Sequence, residues 1–314
     1  MLGYALRRVA GAVPTLLLVA VAVFVLMRVV PGDPALLALG DNADPEQLRL
    51  MRESMGLDKP LLAQFAEWMG RALAGDLGRS AVSGEAVGPL ILSRFGTTAL
   101  IVLLAVGLAT LLAVPLGLLA AWRQNGPLDL ATVTFATLSL SVPSFWLGLI
   151  LLLVFGVWLQ WVPVVGYVPF SENPRAALGF VVLPVLTLAL VELGTLARMA
   201  RASAIDVLRL EYIAHARAKG LPERAVLLRH ALPNAFAPVL TLVGIVLGNL
   251  LGGIAVIETV FTLPGLGRLL VDSIFARDYA VVQGVMLFVA LIYVAVNLLV
   301  DLAYPLFDPR VRAE

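Results

Sequence analysis

Long stretches without a charged side chain constrain this sequence more than any other feature. Residues 9–27 contain none, and residues 130–171 run for about 40 positions without one. A helix needs roughly 20 apolar residues to cross the hydrocarbon of a bilayer. A water-soluble domain cannot bury tracts of that length, whereas lipid is a solvent for them once every backbone group is paired within a helix. Charged residues make up 14% of the chain and apolar residues 61%, against roughly 25% charged in soluble domains. The net charge of +1 supplies no field for nucleic acid, and the absence of cysteine excludes disulfides and thiolate chemistry.

Six spans are expected, at about 9–27, 97–122, 131–157, 180–200, 234–257 and 279–300. None alternates with the period of two that a membrane barrel requires, so all read as helices. The first follows Arg7-Arg8, as a signal peptide would, but it is too long for that and no small-x-small site follows; it is expected to be retained. The stretch 130–171 is too long for one helix. Trp158, Trp161 and Pro163 interrupt it, which suggests an interfacial lip after the third span.

Basic residues orient the bundle. Arg7, Arg8, Arg123, the connector between the fourth and fifth spans (Arg201, Arg209, Arg217, Lys219, Arg224, Arg229) and the tail (Arg310, Arg312) fall on one side. That side is therefore expected to be cytoplasmic, with both termini on it. The organisation that follows is a first span at 1–30, an outer segment at 31–96, and a five-span core at 97–314. In the outer segment, Asp44-Pro45-Glu46 starts a helix, with a cap residue, a proline at the first position and an early acid. Asp58-Lys59-Pro60 starts another, with Leu61, Phe65, Trp68 and Leu73 expected on one face. Such stripes suit a cap packed on the bundle, or a dock for an outside partner.

The connector at 201–233 carries the most specific signal. Residues 202–218 read as one amphipathic helix, ended by Gly220. Pro222-Glu223 open a second, and Pro233 is expected to close it before the fifth span. Such a pair would lie on anionic lipid, or dock on a cytoplasmic partner by a helix-in-groove contact.

Ala214-His215-Ala216-Arg217-Ala218-Lys219-Gly220, then nine residues, then His230-Ala231-Leu232-Pro233, resembles the "EAA" loop of permeases from ATP-binding-cassette (ABC) importers. Ala214 stands where that family often has Glu, and His230 where it often has an aliphatic residue. The run from Ala216 to Leu221 is similar to the branch that imports dipeptides, oligopeptides, glutathione or nickel. So are Val30-Pro31-Gly32-Asp33-Pro34, Gly56-Leu57-Asp58-Lys59-Pro60, Gly75-Asp76-Leu77-Gly78-Arg79-Ser80, and the run from Glu258-Thr259-Val260-Phe261 through Pro264-Gly265-Leu266-Gly267. The resemblance spans essentially the whole chain. It implies an all-helical, six-span, type I importer permease that transports without enzymatic chemistry of its own. The implied partners are a second homologous permease, two cytoplasmic ATPases held on Ala214, Ala216, Arg217, Lys219, Gly220, Leu232 and Pro233, and an extracytoplasmic substrate-binding protein.

No G-x-x-x-x-G-K-[ST] run occurs, so the chain does not cradle nucleotide phosphates by that route. Nor does a metal-ligand pair or a nucleophile elbow; no cofactor is expected. The competing class is an ion-coupled secondary transporter, which accounts for Glu192 inside the fourth span and for kinks at Pro143 and Pro184, but not for the connector. Thr134, Thr137, Ser141 and Ser144 would share one face of a continuous third helix, where they pack a neighbour or line a path. With Glu192 and Asn249 they are the candidates for a translocation path. Gly244, Gly248 and Gly252 form a G-x-x-x-G face for close packing, within the chain or with its partner. Asp301, on a face with Tyr293 and Asn297, is expected to pair with a basic residue near the cytoplasmic end. Glu258, Asp272 and Asp278 are candidates either for loop capping or, Glu258 and Asp278 above all, for an outer gate.

Overall fold

The computed structural model describes residues 2–29, 34–39, 44–170 and 172–307. Val30–Gly32 and Asp33, of the first outer motif, and Arg310 and Arg312 lie outside the described residues. Among those described, the chain is helical, with one isolated antiparallel bridge between Arg79 and Ala86. In order the helices are α1 Leu2–Val29, α2 Pro34–Leu39, α3 Pro45–Ser54, α4 Leu61–Leu73, α5 Val87–Trp122, α6 Pro127–Ser141, α7 Ser144–Leu151, α8 Pro174–Leu208, α9 Glu211–Ala218, α10 Glu223–Ala225, α11 Leu232–Gly253, α12 Ala255–Val260, α13 Leu266–Phe275 and α14 Tyr279–Phe307. Five helical stretches are long and apolar enough to cross a membrane: Ala10–Val29, Val87–Trp122, Pro174–Leu208, Glu223–Gly253 and Tyr279–Leu302. A sixth span is broken.

That break corrects the expected third span. Residues 131–157 are not one helix: α6 and α7 meet at 99°. Val142 is extended (φ −94°, ψ 121°), as a residue before proline prefers to be, and Pro143 takes ψ 134°. Beyond α7 the helix widens to a π-turn at Leu152–Trp158, and among the described residues the expected lip follows without regular structure until Pro174. Pro184, the other candidate kink, lies inside an unbroken α8.

Small residues bring the central helices together. A Cβ on Gly117 of α5 would stand 2.6 Å from the Ala200 Cβ and 2.7 Å from the Arg201 nitrogen of α8, so the backbones nearly touch. Gly194 of α8 sits likewise against Ala136 and Ser139 of α6. The Gly244/Gly248/Gly252 face packs within the chain, on Val300, Tyr293 and Val289 of α14.

The outer segment is tied to the end of α1. Phe24 stacks edge-on with Phe65 at 5.3 Å and lies 5.8 Å from Trp68. Arg28 caps the Phe24 ring and donates to Gln64 Oε1. Packing on the bundle is thus realised for Phe65 and Trp68. Leu61 and Leu73 are exposed, which corrects the wider stripe: Leu73, twelve residues on, has drifted about 120° off the face, and Leu61, the first residue of α4, shares the face but is left uncovered.

Candidate functional site

The connector forms an elbow between two long helices. Its first half is not one helix over 202–218. Instead α8 continues to Leu208, the chain turns at Arg209-Leu210, and α9 begins at Glu211. The corner is held from within by Ile213, Ala216 and Val226, which are buried against Leu208 and Leu221. That inward face leaves Ala214, His215, Arg217 and Lys219 exposed on the outer one.

Gly220 stops α9 as its position suggests. Its φ is +78°, its N–H donates to Arg217 O at 2.9 Å, and the Leu221 N–H donates to Ala216 O at 3.3 Å. This pair is the Schellman arrangement, which satisfies the last carbonyls of a helix and needs a left-handed residue. Arg217 closes the turn by donating to both oxygens of Glu223, at 2.8 and 3.2 Å.

Pro233 does not close the second connector helix. The chain is helical from Glu223 to Gly253, with a π-turn at Val226–Ala231 just before the proline. Leu232 N donates to Leu227 O, five residues back. This widened turn accommodates a ring that would otherwise strike the preceding turn. The His230 carbonyl accepts from Tyr212 Oη at 3.2 Å and from Asn234 Nδ2 at 2.8 Å, fastening α9 to the foot of α11. Leu232 packs with Leu118, Leu227 and Ala231, joining this foot to the end of α5.

The candidate path residues are not brought to one place. Because the helix breaks at Val142-Pro143, Ser144 belongs to α7, and the four-hydroxyl face on one helix does not form. Thr137 and Ser141 are exposed on α6 and donate back to the carbonyls of Val133 and Thr137. Glu192 is half-buried on α8, the helix against which α6 packs. Asn249 lies elsewhere. It lines a cleft of about 500 Å³ with Thr15 of α1, Leu270 of α13 and Tyr293 of α14.

Glu258 and Asp278 correct the outer-gate expectation, since neither presents its carboxylate outward. Glu258 is 0% exposed. Its Oε1 accepts from Thr98 Oγ1 at 2.5 Å and its Oε2 from the Arg268 N–H at 2.9 Å, while Leu266 N–H donates to the same Thr98 hydroxyl at 2.8 Å. One buried carboxylate thus joins α5, α12 and α13. Burial pushes this carboxyl above the usual carboxylate range, and the donors from Thr98 and the Arg268 and Gly267 amides pull against that. Asp278, 2% exposed, caps α14 by accepting from Val281 N–H, and accepts from Ser80 Oγ at 2.5 Å. Asp272 is the exposed one of the three, 3.6 Å from Arg268.

Sequence reasoning missed the pairing of Arg201 with Asp129. Both Arg201 Nε and Nη2 donate to the two carboxylate oxygens, and Asn125 N–H adds a bond to Oδ2 at 2.8 Å. The available signal was an acid in the first turn of a helix, 3% exposed here, at the edge of an otherwise uncharged tract.

A bundle of membrane-length helices, one of them broken, with a glycine-turned elbow projecting from one end, is the architecture of a polytopic membrane protein. The chain belongs to the family of binding-protein-dependent transport system inner membrane components. It matches that family over residues 113–313, and the N-terminal region of such membrane components over residues 1–105. It is 44% identical over 307 residues to a putative peptide transport system permease protein of Brucella abortus, covering 98% of each chain. It is 42% identical over 313 residues to the glutathione transport system permease protein GsiC of Escherichia coli, covering 99% of each. An amino acid ABC transporter crystallised with histidines aligns with 71% of this chain and 94% of its own at 20% identity, with a TM-score of 0.49, too weak a likeness to add to the family match.

Proposed function

We propose that this chain is one of two homologous permeases enclosing the translocation path of an ATP-driven importer for peptides or similarly small polar solutes. Two ATPases engage the elbow from the cytoplasm, an extracytoplasmic protein delivers substrate, and both chain termini are cytoplasmic. The observation that carries this reading is the elbow: α9 keeps an exposed face of Ala214, His215, Arg217 and Lys219 on a rigid, glycine-closed turn wedged between two membrane-length helices. A groove on a partner can grip such a helix. The names of the relatives, peptide and glutathione permeases, support the substrate class. Thr137, Ser141 and Glu192, left on or near the uncovered face of α6 and α8, are the residues assigned to the path or to the second permease. The binding of two states, ATPase-closed and ATPase-open, drives alternating access without covalent chemistry.

Purification of the tagged chain from its native membrane in mild detergent tests the assembly. Two ATPase chains and a second permease should co-purify, and the complex, reconstituted with binding protein, should take up peptide only with ATP. A lone oligomer whose uptake follows an ion gradient would refute the assignment in favour of a secondary transporter.

A further inference from the structure

A cavity of about 290 Å³ lies where the cap meets the bundle. Its walls come from the end of α1, from α4, from the loop after α4 and from the start of α14. Arg28, Arg71, Arg79 and Arg277 line it, against two carboxylates, Glu67 and Asp76. Both acids are already engaged: Lys59 Nζ donates to Glu67 at 2.5 Å, and Gly78 N–H donates to Asp76 Oδ1 at 2.9 Å. The arginines are not neutralised. Arg28 donates to the Gln64 amide oxygen and Arg79 to the Gly84 carbonyl, and among the described residues none of the four has a carboxylate partner.

Below this cationic rim the wall contains unmet hydrogen-bonding groups. Gln283 is only 7% exposed, and its Nε2 has no partner; the buried Tyr279 Oη has none either. Buried donors without acceptors are rare in folded proteins, and a concentration of them beside four guanidinium groups marks a place for an anion rich in oxygen acceptors. The level of the cavity narrows the choice. The span of α1 ends at Val29 and that of α14 begins at Tyr279, so the cavity stands at the membrane boundary on the cap side. Trp68 and Tyr279 in its wall are residue types of that boundary. Leu26 and Val29, exposed on either side of Arg28 in sequence, offer apolar surface to acyl chains just below.

We propose that this cavity binds the phosphodiester headgroup of a phospholipid from the cap-side leaflet. The guanidinium groups donate to the phosphate oxygens, for which their planar fork is suited. The lipid staples the cap to α1 and α14.

The test uses the full-length chain, extracted in mild detergent and analysed by native mass spectrometry with phosphatidylglycerol as the probe. The wild-type chain should retain one phospholipid through delipidation and rebind phosphatidylglycerol. The double variant Arg71→Gln/Arg277→Gln should bind roughly tenfold more weakly, the scale of losing charge-assisted hydrogen bonds. Arg71→Lys/Arg277→Lys should recover part of that loss. Gln283→Glu, which keeps the side-chain size and sets a negative charge in the wall, should also weaken binding while melting like the wild type. Equal lipid retention in the glutamine double variant and the wild type would overturn the site. Displacement of the lipid by millimolar inorganic phosphate would overturn the lipid as its occupant and assign a free anion instead.

Discussion

A valine at position 220 tests the coupling role of the elbow. At Gly220 a Cβ would meet no atom within 4 Å, so no clash contributes to the effect. The whole penalty comes from the backbone, where φ is +78°. Holding a non-glycine residue in that region costs about 1–3 kcal/mol, with β-branched residues at the upper end. The alternative is to abandon the turn and lose the hydrogen bonds to Arg217 O and Ala216 O, at about 0.5–1.5 kcal/mol each. Either route costs about the same, and it is confined to a segment outside the spans. The packing of α5 on α8 and of α11 on α14 is untouched, so Gly220→Val should reach the membrane at normal abundance. Uptake into proteoliposomes and ATPase stimulation by loaded binding protein should both fall severely, because α9 no longer holds its angle to α10 and α11. Gly220→Asn, which tolerates a left-handed φ, should keep most activity. Arg224→Gln should do little, since an exposed charge contributes little to stability. Full uptake by Gly220→Val at matched abundance would refute the coupling role. A larger loss in Arg224→Gln than in Gly220→Val would instead support a lipid-bound connector.

Other expectations follow from the buried polar contacts and from topology. Asp129→Asn leaves Arg201 without its carboxylate; because the Arg201 side chain keeps 22% exposure, the cost should be ~2 kcal/mol, below the usual range for breaking a buried pair. Thermal melting in detergent should show this, with Asp129→Leu/Arg201→Met less damaging than either single change; a single change without effect would remove the pair from the stability of the bundle. Gly265→Ala would drive a methyl group into the buried Glu258 carboxylate and should destabilise by about 1–3 kcal/mol, whereas Gly253→Ala meets open space and should melt like the wild type; equal melting of the two would contradict the packing. Glu192→Gln should lower uptake of cationic peptides relative to neutral ones if its charge faces the path, and equal effects would leave only a packing role. In this cysteine-free chain, an impermeant thiol reagent on intact spheroplasts should label Ser83→Cys and Asp272→Cys but not Ala225→Cys; labelling of the last would invert the bundle.

What was legible in the sequence is what depends on local chemistry. Spans follow from uncharged length, and five of the six appear near their expected positions. The Gly220 stop, the Pro45 start and the cap packing of Phe65 and Trp68 likewise rest on short-range patterns. Three departures from expectation have two causes, local backbone adjustment at prolines and contacts with distant segments. At Pro143 the candidate kink in the third span is a full break, because the residue before a proline disfavours helix. Pro233, a terminator by its sequence position, sits just after a π-turn that carries the helix past it. For Glu258 and Asp278, candidates for loop capping or an outer gate, the outer-gate alternative gives way because both are buried by partners far away in sequence, Thr98 and Ser80. Periodicity within one segment says nothing about a partner 160 residues distant, and so the Asp129–Arg201 pair was also invisible. Of the candidate site, the elbow was readable because its motif is contiguous. The path was not, because it depends on which faces the bundle leaves uncovered.

These contacts decide what a push on the elbow can move. Helix α8 has 35 residues and the stretch Glu223–Gly253 has 31, so at 1.5 Å per residue they extend about 52 and 46 Å. Their feet are joined: Ser203 Oγ donates to Ala235 O at 2.9 Å, Ile213 of α9 is buried between Leu208 and Val226, and Arg201 holds the start of α6. A displacement of α9 therefore cannot move one of these helices without the other. At the far end of α11, Glu258 binds Thr98, so α5 is carried along as well, in keeping with its close packing on α8. Under the proposed coupling, α5, α8 and α11 tilt as one block from the elbow to the Glu258 junction. The interruption at Val142-Pro143 lies between α6, which Arg201 holds to α8, and α7, whose Gly148 stands against Thr187 of α8 and Phe261. Rigid transmission from the elbow to the Glu258 junction is what the proposed coupling requires of these helices, and the close packing of α5 on α8 together with the Thr98–Glu258 bond supplies it.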